Sequence, residues 1–223
     1  MINKYSSINI YEHKKKNSKL SSQILYGEKF IILKEYKDWY KIKTSYDKYV
    51  GFIKKKKFEK FTHKPTHKVS SLKANIFSKP FKSSKIKMKL SFASLLQIKA
   101  SKNNFLKFDN YWIQKSDVVP INYKEKIFNK ITIFKGVKYK WGGKKFDGID
   151  CSGLVQLFYK FNNVYCPRDT SPQFRYFKKF KSIKKNAIIF WKGHVAVCLS
   201  KKKIKTCLWS KEKSSYNGYK KNN

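Results

Sequence analysis

Two residues in the last third of the sequence have the chemical types and the surroundings that nucleophilic catalysis requires. Cys151 follows a glycine-rich loop and precedes apolar residues at helical spacing. This pattern predicts a helix that begins at the cysteine, where the helix dipole and unpaired backbone N–H groups would lower the thiol pKa and favour the nucleophilic thiolate. His194 follows a glycine and begins a short apolar run, which is a suitable place for a general base on a strand.

Each of these residues also has a purely structural interpretation. An isolated cysteine is more often a small buried apolar side chain than a nucleophile, and an isolated histidine is little more informative. The combination is more specific, because the thiol is expected at a helix start and the imidazole at a strand start. Both positions therefore suit nucleophilic chemistry.

The composition is strongly basic. The 223 residues carry a formal net charge of +40, which in general indicates a nucleic-acid partner or an anionic membrane surface. Of the 53 basic residues, however, only Arg168 and Arg175 are arginines, and specific readers of phosphates and bases usually employ the bidentate arginine fork. We therefore interpret the lysines as a solvated surface and expect no specific nucleic-acid partner, although non-specific polyanion binding remains compatible with the charge.

The sequence also bears on location and cofactors. Residues 1–19 contain no apolar leader segment, and no apolar run reaches the roughly 18 residues of a membrane span. We therefore expect a cytoplasmic protein with no membrane span. The four cysteines form no C-x-x-C pair and show no metal-ligand spacing with the histidines, so we expect free thiols, no metal and no cofactor.

Three folded units are predicted to position the two residues. Residues 1–60 contain short β-branched and aromatic runs at 24–28, 30–33, 39–42 and 49–53, and residues 61–120 contain similar runs at 74–77, 95–98, 105–108 and 111–113. Both units are expected to be small all-β barrels. Residues 211–223 are polar without apolar alternation and are expected to be disordered.

The third unit, residues 121–210, has a different pattern. Apolar residues at helical spacing predict a helix over 123–134, followed by the glycine loop, the helix after Cys151, and strands at 188–190 and 195–199. A cysteine on a helix that precedes a histidine on a sheet is the arrangement of papain-like thiol hydrolases. The predicted fold class is therefore α+β, with a papain-like C-terminal domain behind two all-β barrels.

Four motifs in this order resemble the NlpC-type family of peptidoglycan-peptide cysteine peptidases: Y-K-W-G-G, D-C-S-G-L-V-Q, C-P-R-D-T-S-P-Q and F-W-K-G-H-V-A-V. The first unit, with L-Y-G-E, W-Y-K-I and Y-V-G-F-I, resembles bacterial SH3-like domains, and the second unit resembles them more faintly. The resemblance implies a monomeric enzyme that cuts between γ-D-glutamate and a diamino acid in short peptidoglycan peptides.

The resemblance also implies residue roles. Cys151 would be the nucleophile and His194 the general base. Eight further residues would bind the substrate, by lining the cleft or by holding the free ammonium and backbone of the substrate's N-terminal L-alanine. They are Tyr139, Trp141, Asp150, Ser152, Asp169, Thr170, Glu28 and Tyr49. The structural alternatives are that the two aromatic residues of the loop merely pack, that Asp150 favours the helix start, and that Arg168 pairs with a carboxylate to brace the loop.

The sequence departs from the family at the third catalytic position. The family places a polar residue there, usually histidine, on the strand after the base, and the corresponding residue here is Thr206. A threonine hydroxyl can accept a hydrogen bond from the imidazole, but it orients the ring less well. The family's final strand is also missing, which suggests a reading-frame slip near residues 201–203 or, alternatively, a catalytically impaired module that binds wall peptides without turnover.

Overall fold

The computed structural model describes residues 1–61, 64–180, 182, 184–200 and 203–206, with Ser200 and residues 203–206 described by their backbone alone. Within these residues, most of the ordered structure is short β-strands, and two α-helices lie near the C-terminal end. Neither helix is long and apolar enough to cross a lipid bilayer. The described part of the chain is therefore mostly β, with both α-helices in the unit that contains Cys151 and a 3₁₀ turn, Lys115–Asp117, in the second unit.

The first unit forms one antiparallel sheet in the order β2-β1-β5-β4-β3. Its strands are β1 (Ser7–Tyr11), β2 (Leu20–Leu25), β3 (Phe30–Glu35), β4 (Trp39–Thr44) and β5 (Val50–Lys54). Isoleucines at alternate positions of these strands face one core, as the two-residue period of a strand requires. Strands β3 to β5 confirm the runs predicted at 30–33, 39–42 and 49–53, whereas the run predicted at 24–28 is the end of β2 and a turn in which Gly27 has a φ of +77°.

The second unit forms two sheets, in the orders β10-β11-β12-β7-β8 and β13-β6-β9. Its strands are β6 (His67–Val69), β7 (Lys73–Phe77), β8 (Ile86–Ser91), β9 (Leu95–Leu96), β10 (Ile98–Lys102), β11 (Phe105–Phe108), β12 (Tyr111–Gln114) and β13 (Val118–Pro120). The four predicted runs correspond to β7, β9, β11 and β12. Tyr26 of the first unit is buried in the core of the second, so the two units share apolar contacts.

The third unit contains the hairpin of β14 (Lys144–Lys145) and β15 (Gly148–Ile149), then α1 (Cys151–Phe161) and α2 (Thr170–Tyr176). The antiparallel sheet of β16 (Ile188–Trp191), β17 (His194–Ser200) and β18 (Lys203–Thr206) follows. Helix α1 packs on β17, and the core between them also buries Leu25 of the first unit and Phe92 of the second. The third unit therefore completes its core with residues from both preceding units.

The helix predicted over 123–134 is wrong. Only Ile131–Phe134 is helical, as a single 3₁₀ turn, and the preceding residues form hydrogen-bonded turns. Phe128 has a φ of +69°, a left-handed conformation that interrupts an α-helix, yet its side chain is buried against α1. The apolar spacing in this segment therefore reflects burial along a series of turns.

Candidate active site

The start of α1 is fixed by the side chain that precedes the cysteine. Asp150 is the N-cap of the helix and accepts hydrogen bonds from the backbone N–H of Gly153 at 2.6 Å and of Gly142 at 2.8 Å. A Cβ at position 153 would lie 2.6 Å from the Gly143 carbonyl oxygen and 2.8 Å from Asp150 Oδ1, so only glycine fits there. The D-C-S-G sequence thus holds Cys151 at the first residue of α1, as predicted.

Arg168 completes this arrangement from the loop before α2. Its Nη1 and Nη2 donate to the two carboxylate oxygens of Asp150 at 3.0 and 2.6 Å, and its Nη1 also donates to Ser152 Oγ at 3.0 Å. Its Nε donates to Ser22 Oγ of β2 at 3.0 Å, which ties the helix start to the first unit. The ion pair is buried and bidentate, so the interpretation in which Asp150 caps the helix and Arg168 braces the loop is confirmed.

The thiol of Cys151 lies between α2 and the strand that carries the histidine. Its Sγ is 4.0 Å from Thr170 Oγ1. Burial raises the pKa of the Cys151 thiol, with the Asp150 carboxylate adding to the rise, whereas hydrogen bonds from the backbone of Val195 and Ser152 and from Thr170 lower it. The expectation that the helix start would give a depressed pKa is therefore wrong, because burial outweighs the helix dipole. The thiol is protonated at neutral pH and needs a base.

His194 is the first residue of β17 and directly precedes Val195, whose backbone forms a hydrogen bond with the Cys151 thiol. A two-residue turn through Gly193, which has a φ of +75°, pairs Trp191 with His194 at the end of the β16–β17 hairpin. The two rings are 4.7 Å apart between centroids, with an angle of 43° between their planes. Burial lowers the pKa of His194 below its ordinary 6.5, while the carboxylate of Asp150 raises it. The imidazole is thus neutral at pH 7 and able to accept a proton.

A cavity of about 240 Å³ opens onto the thiol. Most of the predicted binding residues line it, together with Cys151 and the turn residue Gly193: Tyr49, Tyr139, Trp141, Asp150, Ser152, Asp169 and Thr170. Trp141 is 61% exposed and forms part of the cavity's edge. The structure therefore brings residues from the first unit, the glycine loop, α1 and α2 to one cavity beside the Cys151 thiol, and Gly193, the residue before His194, also lines it.

Two ranges of the chain match known protein families. Residues 136–220 match the NlpC/P60 family, and residues 10–58 match the bacterial dipeptidyl-peptidase Sh3 domain. This chain carries an NlpC/P60 domain behind a bacterial SH3 domain. The range that matches the NlpC/P60 family contains both Cys151 and His194. The range that matches the SH3 domain contains β2 to β5.

Individual relatives agree with the two domains. The chain is 30% identical over 174 residues to the γ-D-glutamyl-L-lysine dipeptidyl-peptidase of Bacillus subtilis, which covers 69% of this chain and 57% of that relative. It is 25% identical over 224 residues to dipeptidyl-peptidase 6 of Lysinibacillus sphaericus, covering 86% of this chain and 81% of that relative. The chain therefore spans little more than half the length of the first of these curated relatives.

A solved structure shows the same fold. An NlpC/P60 family protein from Bacillus cereus superposes with a TM-score of 0.77, at 19% identity, covering 90% of this chain and 88% of the other. The superposition extends over the SH3 domain, the second β unit and the NlpC/P60 domain, since nine tenths of the chain are included.

Glu28 does not lie where the sequence analysis expected it. Its side chain is buried between the SH3 domain and α1, where it forms ion pairs with Lys160 and, at 3.6 Å, with Lys144. It also accepts a hydrogen bond from the Leu25 backbone N–H at 2.6 Å. The position predicted for Glu28 at the end of the cleft is therefore wrong, because two buried lysines require its charge.

Glu12 lines the NlpC/P60 cavity from the end of β1, together with Ser21, and the motif analysis missed both. One sequence signal was available for Glu12, since it is the only acidic residue among the first 27. Whether a glutamate reaches the cavity depends on how the SH3 strands pack on the NlpC/P60 domain, which the sequence of the SH3 domain does not reveal.

The remaining predicted residue is Thr206. Its backbone pairs with Ala196, two residues beyond His194 on the neighbouring strand, while its side chain lies outside the described part of the chain. Residues 207–223, for which disorder and a frame slip were predicted, also lie outside it. The role of Thr206 as the third catalytic residue stays a prediction.

Proposed function

We propose that this protein is a cysteine peptidase that cleaves the γ-D-glutamyl–diamino acid bond of short peptidoglycan peptides with a free N-terminus, in wall turnover or recycling. The observation that carries the proposal is the placement of the Cys151 thiol. It lies at the start of α1, lines the cavity, and receives a hydrogen bond from the backbone of Val195, the residue after His194. The name of the Bacillus subtilis relative, a γ-D-glutamyl-L-lysine dipeptidyl-peptidase, supports the bond assigned.

The proposed reaction begins with proton transfer from Cys151 Sγ to the neutral His194 imidazole. The thiolate attacks the γ-carbonyl carbon of the glutamyl residue, and the resulting oxyanion accepts a hydrogen bond from the Cys151 backbone N–H at the helix start. The protonated His194 then gives its proton to the departing amine as the C–N bond breaks. Water, deprotonated by His194, hydrolyses the thioester and regenerates the thiol.

Two carboxylates that line the cavity, those of Asp169 and Glu12, would limit the substrate to peptides with a free N-terminus. Burial raises the pKa of Asp169, and the Asp150 and Asp47 carboxylates add to the rise, while Arg168 lowers it. Such a carboxylate is stabilised by a cationic partner, which a substrate ammonium supplies. Glu12 adds a second carboxylate to the same cavity. A peptide whose N-terminus is acylated would leave both charges without that partner.

The proposal includes the domain boundaries 1–60, 61–120 and 121–210, with the second unit also an SH3-like barrel. The first two domains would contribute to the catalytic domain directly, since residues of both enter its core and Ser22 and Glu28 contact its buried Arg168 and Lys160. The SH3 domain then shapes the substrate cavity, and removing it is expected to abolish activity.

The test is a cleavage assay with four synthetic peptides: L-Ala-γ-D-Glu-L-Lys, its diaminopimelate counterpart, and the N-acetylated form of each. Mass spectrometry is expected to find free diamino acid and the L-Ala-D-Glu dipeptide from the unmodified peptides and at least about a hundredfold slower release from the acetylated ones. Failure of the wild-type chain to cleave either unmodified peptide, or equal cleavage of the acetylated forms, would contradict the proposal.

A second candidate function is a binding module that retains the cavity without turnover. It is favoured by the raised pKa of the Cys151 thiol and by threonine in place of histidine at position 206. Calorimetry distinguishes the two functions: the binding module predicts the same affinity for wild type and Cys151→Ala and no product, whereas the peptidase predicts product from the wild type alone.

A further inference from the structure

Exposed aromatic and basic side chains lie together on α2 and the residues around it. We call this surface the α2 patch, which consists of Tyr165, Phe174, Arg175, Tyr176, Lys178, Lys179 and Phe180. Phe180 is 74% exposed, and Tyr176, Phe174 and Tyr165 are 48%, 46% and 42% exposed. Large apolar side chains exposed next to one another commonly mark an interaction site.

The patch is held in place by the domain beneath it. The rings of Tyr165 and Tyr176 are 5.2 Å apart between centroids, and the ammonium group of Lys179 lies 4.9 Å from the ring centre of Phe174. Phe177, between the exposed residues, packs against Tyr159 of α1 with a centroid distance of 4.9 Å. Two of the exposed rings, those of Phe174 and Tyr176, therefore lie on an anchored helix, and Tyr165 packs against it.

The segment formed by α2 and the residues after it is positively charged. Residues 170–185 include six basic residues and no aspartate or glutamate, so no carboxylate of this segment neutralises the lysines. Their alternation with aromatic residues in F-R-Y-F-K-K-F-K is the composition of segments that lie on membrane surfaces, where rings insert among the headgroups and lysines attract anionic lipids.

We propose that the α2 patch binds the surface of an anionic lipid bilayer. Lysine attracts a lipid phosphate as a point charge, so the scarcity of arginine that argues against a specific nucleic-acid partner does not count against lipid. The ring planes of Tyr165 and Tyr176 meet at 73°, and those of Tyr176 and Phe177 also meet at 73°, so the rings do not form a parallel series on which bases could stack.

A carbohydrate chain fits the patch less well. Binding of sugar hydroxyls needs carboxylate or amide acceptors, and none of the seven patch residues carries one. The amide of Gln173, on the same helix, is buried and donates to the Ser152 and Pro167 carbonyls. Membrane binding would also have a consequence for access to the site, because α2 begins at Thr170 and Ser171, which line the cavity beside Cys151.

The test is sedimentation of the full chain with vesicles of phosphatidylglycerol and phosphatidylcholine in equal parts, and with vesicles of phosphatidylcholine alone. We expect binding to the anionic vesicles and a loss of about tenfold in affinity for the double variant Tyr176→Ser, Phe180→Ser, which leaves the net charge unchanged. Both side chains are exposed, and unchanged thermal unfolding and hydrolysis of a soluble peptide would show that the variant is folded.

Matched charge variants separate the patch from the general basicity of the chain. Arg175→Gln with Lys178→Gln and Lys179→Gln is expected to reduce affinity at least about tenfold. The control triple variant is Lys85→Gln with Lys87→Gln and Lys89→Gln, three exposed lysines just before and on β8, and it should reduce affinity no more than about threefold. Equal losses from both triple variants, or no loss from the aromatic variant, would overturn the proposal in favour of bulk charge. Displacement of the protein from vesicles by a single-stranded oligonucleotide at equal phosphate would overturn it in favour of nucleic acid.

Discussion

Cys151 and Cys166 are two buried free thiols with different surroundings. Both are almost inaccessible, and burial raises the pKa of both, that of Cys166 to about 12. Cys151 lies at the first residue of α1 and lines the cavity. Cys166 is enclosed in the loop before α2, where its Sγ donates to the Pro167 carbonyl at 3.5 Å.

A raised thiol pKa is common to both residues, so it does not distinguish Cys151, the proposed nucleophile, from Cys166. The two differ in access to a cavity and in proximity to a base, since Cys151 contacts the backbone next to His194. A thiol with a raised pKa is a competent nucleophile only where a base removes its proton as it attacks. The predictions below test that distinction.

The largest effect is expected from exchanging each cysteine for alanine. Cys151→Ala should lower kcat by at least about 10³-fold, because the attacking atom is gone. Cys166→Ala should leave kcat within about twofold and lower the melting temperature by a few degrees through the small cavity it creates. Steady-state kinetics and thermal unfolding measure both variants, and a Cys166→Ala protein as inactive as Cys151→Ala would remove the distinction.

The second largest effect is expected from replacing Arg168, which lies two residues after Cys166 and pairs with Asp150, the residue before Cys151. Arg168→Met leaves the buried Asp150 carboxylate without its cation and is expected to lower the free energy of unfolding by about 3–5 kcal/mol. The matched control is Arg175→Met, the other arginine of the chain, which is exposed and should cost less than about 0.5 kcal/mol. Urea denaturation compares the two, and similar losses would mean that Arg168 does not brace the helix start.

A smaller effect is expected from the carboxylates that line the cavity. Asp169→Asn and Glu12→Gln should each raise KM about tenfold for a peptide with a free N-terminus and leave kcat nearly unchanged, since they weaken binding of the ammonium and not the chemical step. Glu28→Gln is the contrasting variant, because its carboxylate pairs with buried lysines outside the cavity. Glu28→Gln should lower the free energy of unfolding and change KM little. A raised KM with unchanged stability would instead support the predicted place of Glu28 in the substrate cleft.

The smallest effect is a displacement of the pH profile. Activity requires neutral His194, and burial lowers the pKa of His194 below 6.5, so kcat/KM should rise with pH and reach half its plateau below pH 6.5. The same pH profile should be found for Asp169→Asn, which would exclude titration of the Asp169 carboxylate as the cause of the rise. If the rise of kcat/KM with pH were centred above pH 7, the His194 imidazole would instead be stabilised as a cation, in an ion pair with the thiolate.

The parts of the site that local sequence patterns determine were predictable. The D-C-S-G pattern places Cys151 at a helix start because Asp150 caps the helix and Gly153 permits close packing, and both effects act within a few residues. The placement of His194 at the first residue of a strand likewise follows from the preceding glycine turn. The first unit's strands follow from their alternating β-branched residues.

The parts that depend on packing between distant segments were not predictable. The choice between Glu12 and Glu28 depends on the orientation of the SH3 domain against α1, and the thiol pKa depends on how deeply β17 buries Cys151. The segment 123–134 has helical spacing because its apolar residues face α1, although Phe128 adopts a left-handed backbone. In each case tertiary contacts outweigh the local preference.

Capture of the acyl-enzyme tests the nucleophile most directly. The full chain is mixed with L-Ala-γ-D-Glu-L-Lys, quenched in acid within milliseconds to seconds, digested, and analysed by mass spectrometry for the added L-Ala-γ-D-Glu acyl group. The account predicts this group as a thioester on the peptide that contains Cys151, and none on Cys166. Hydrolysis without any adduct on Cys151, or an adduct on Cys166, would contradict it.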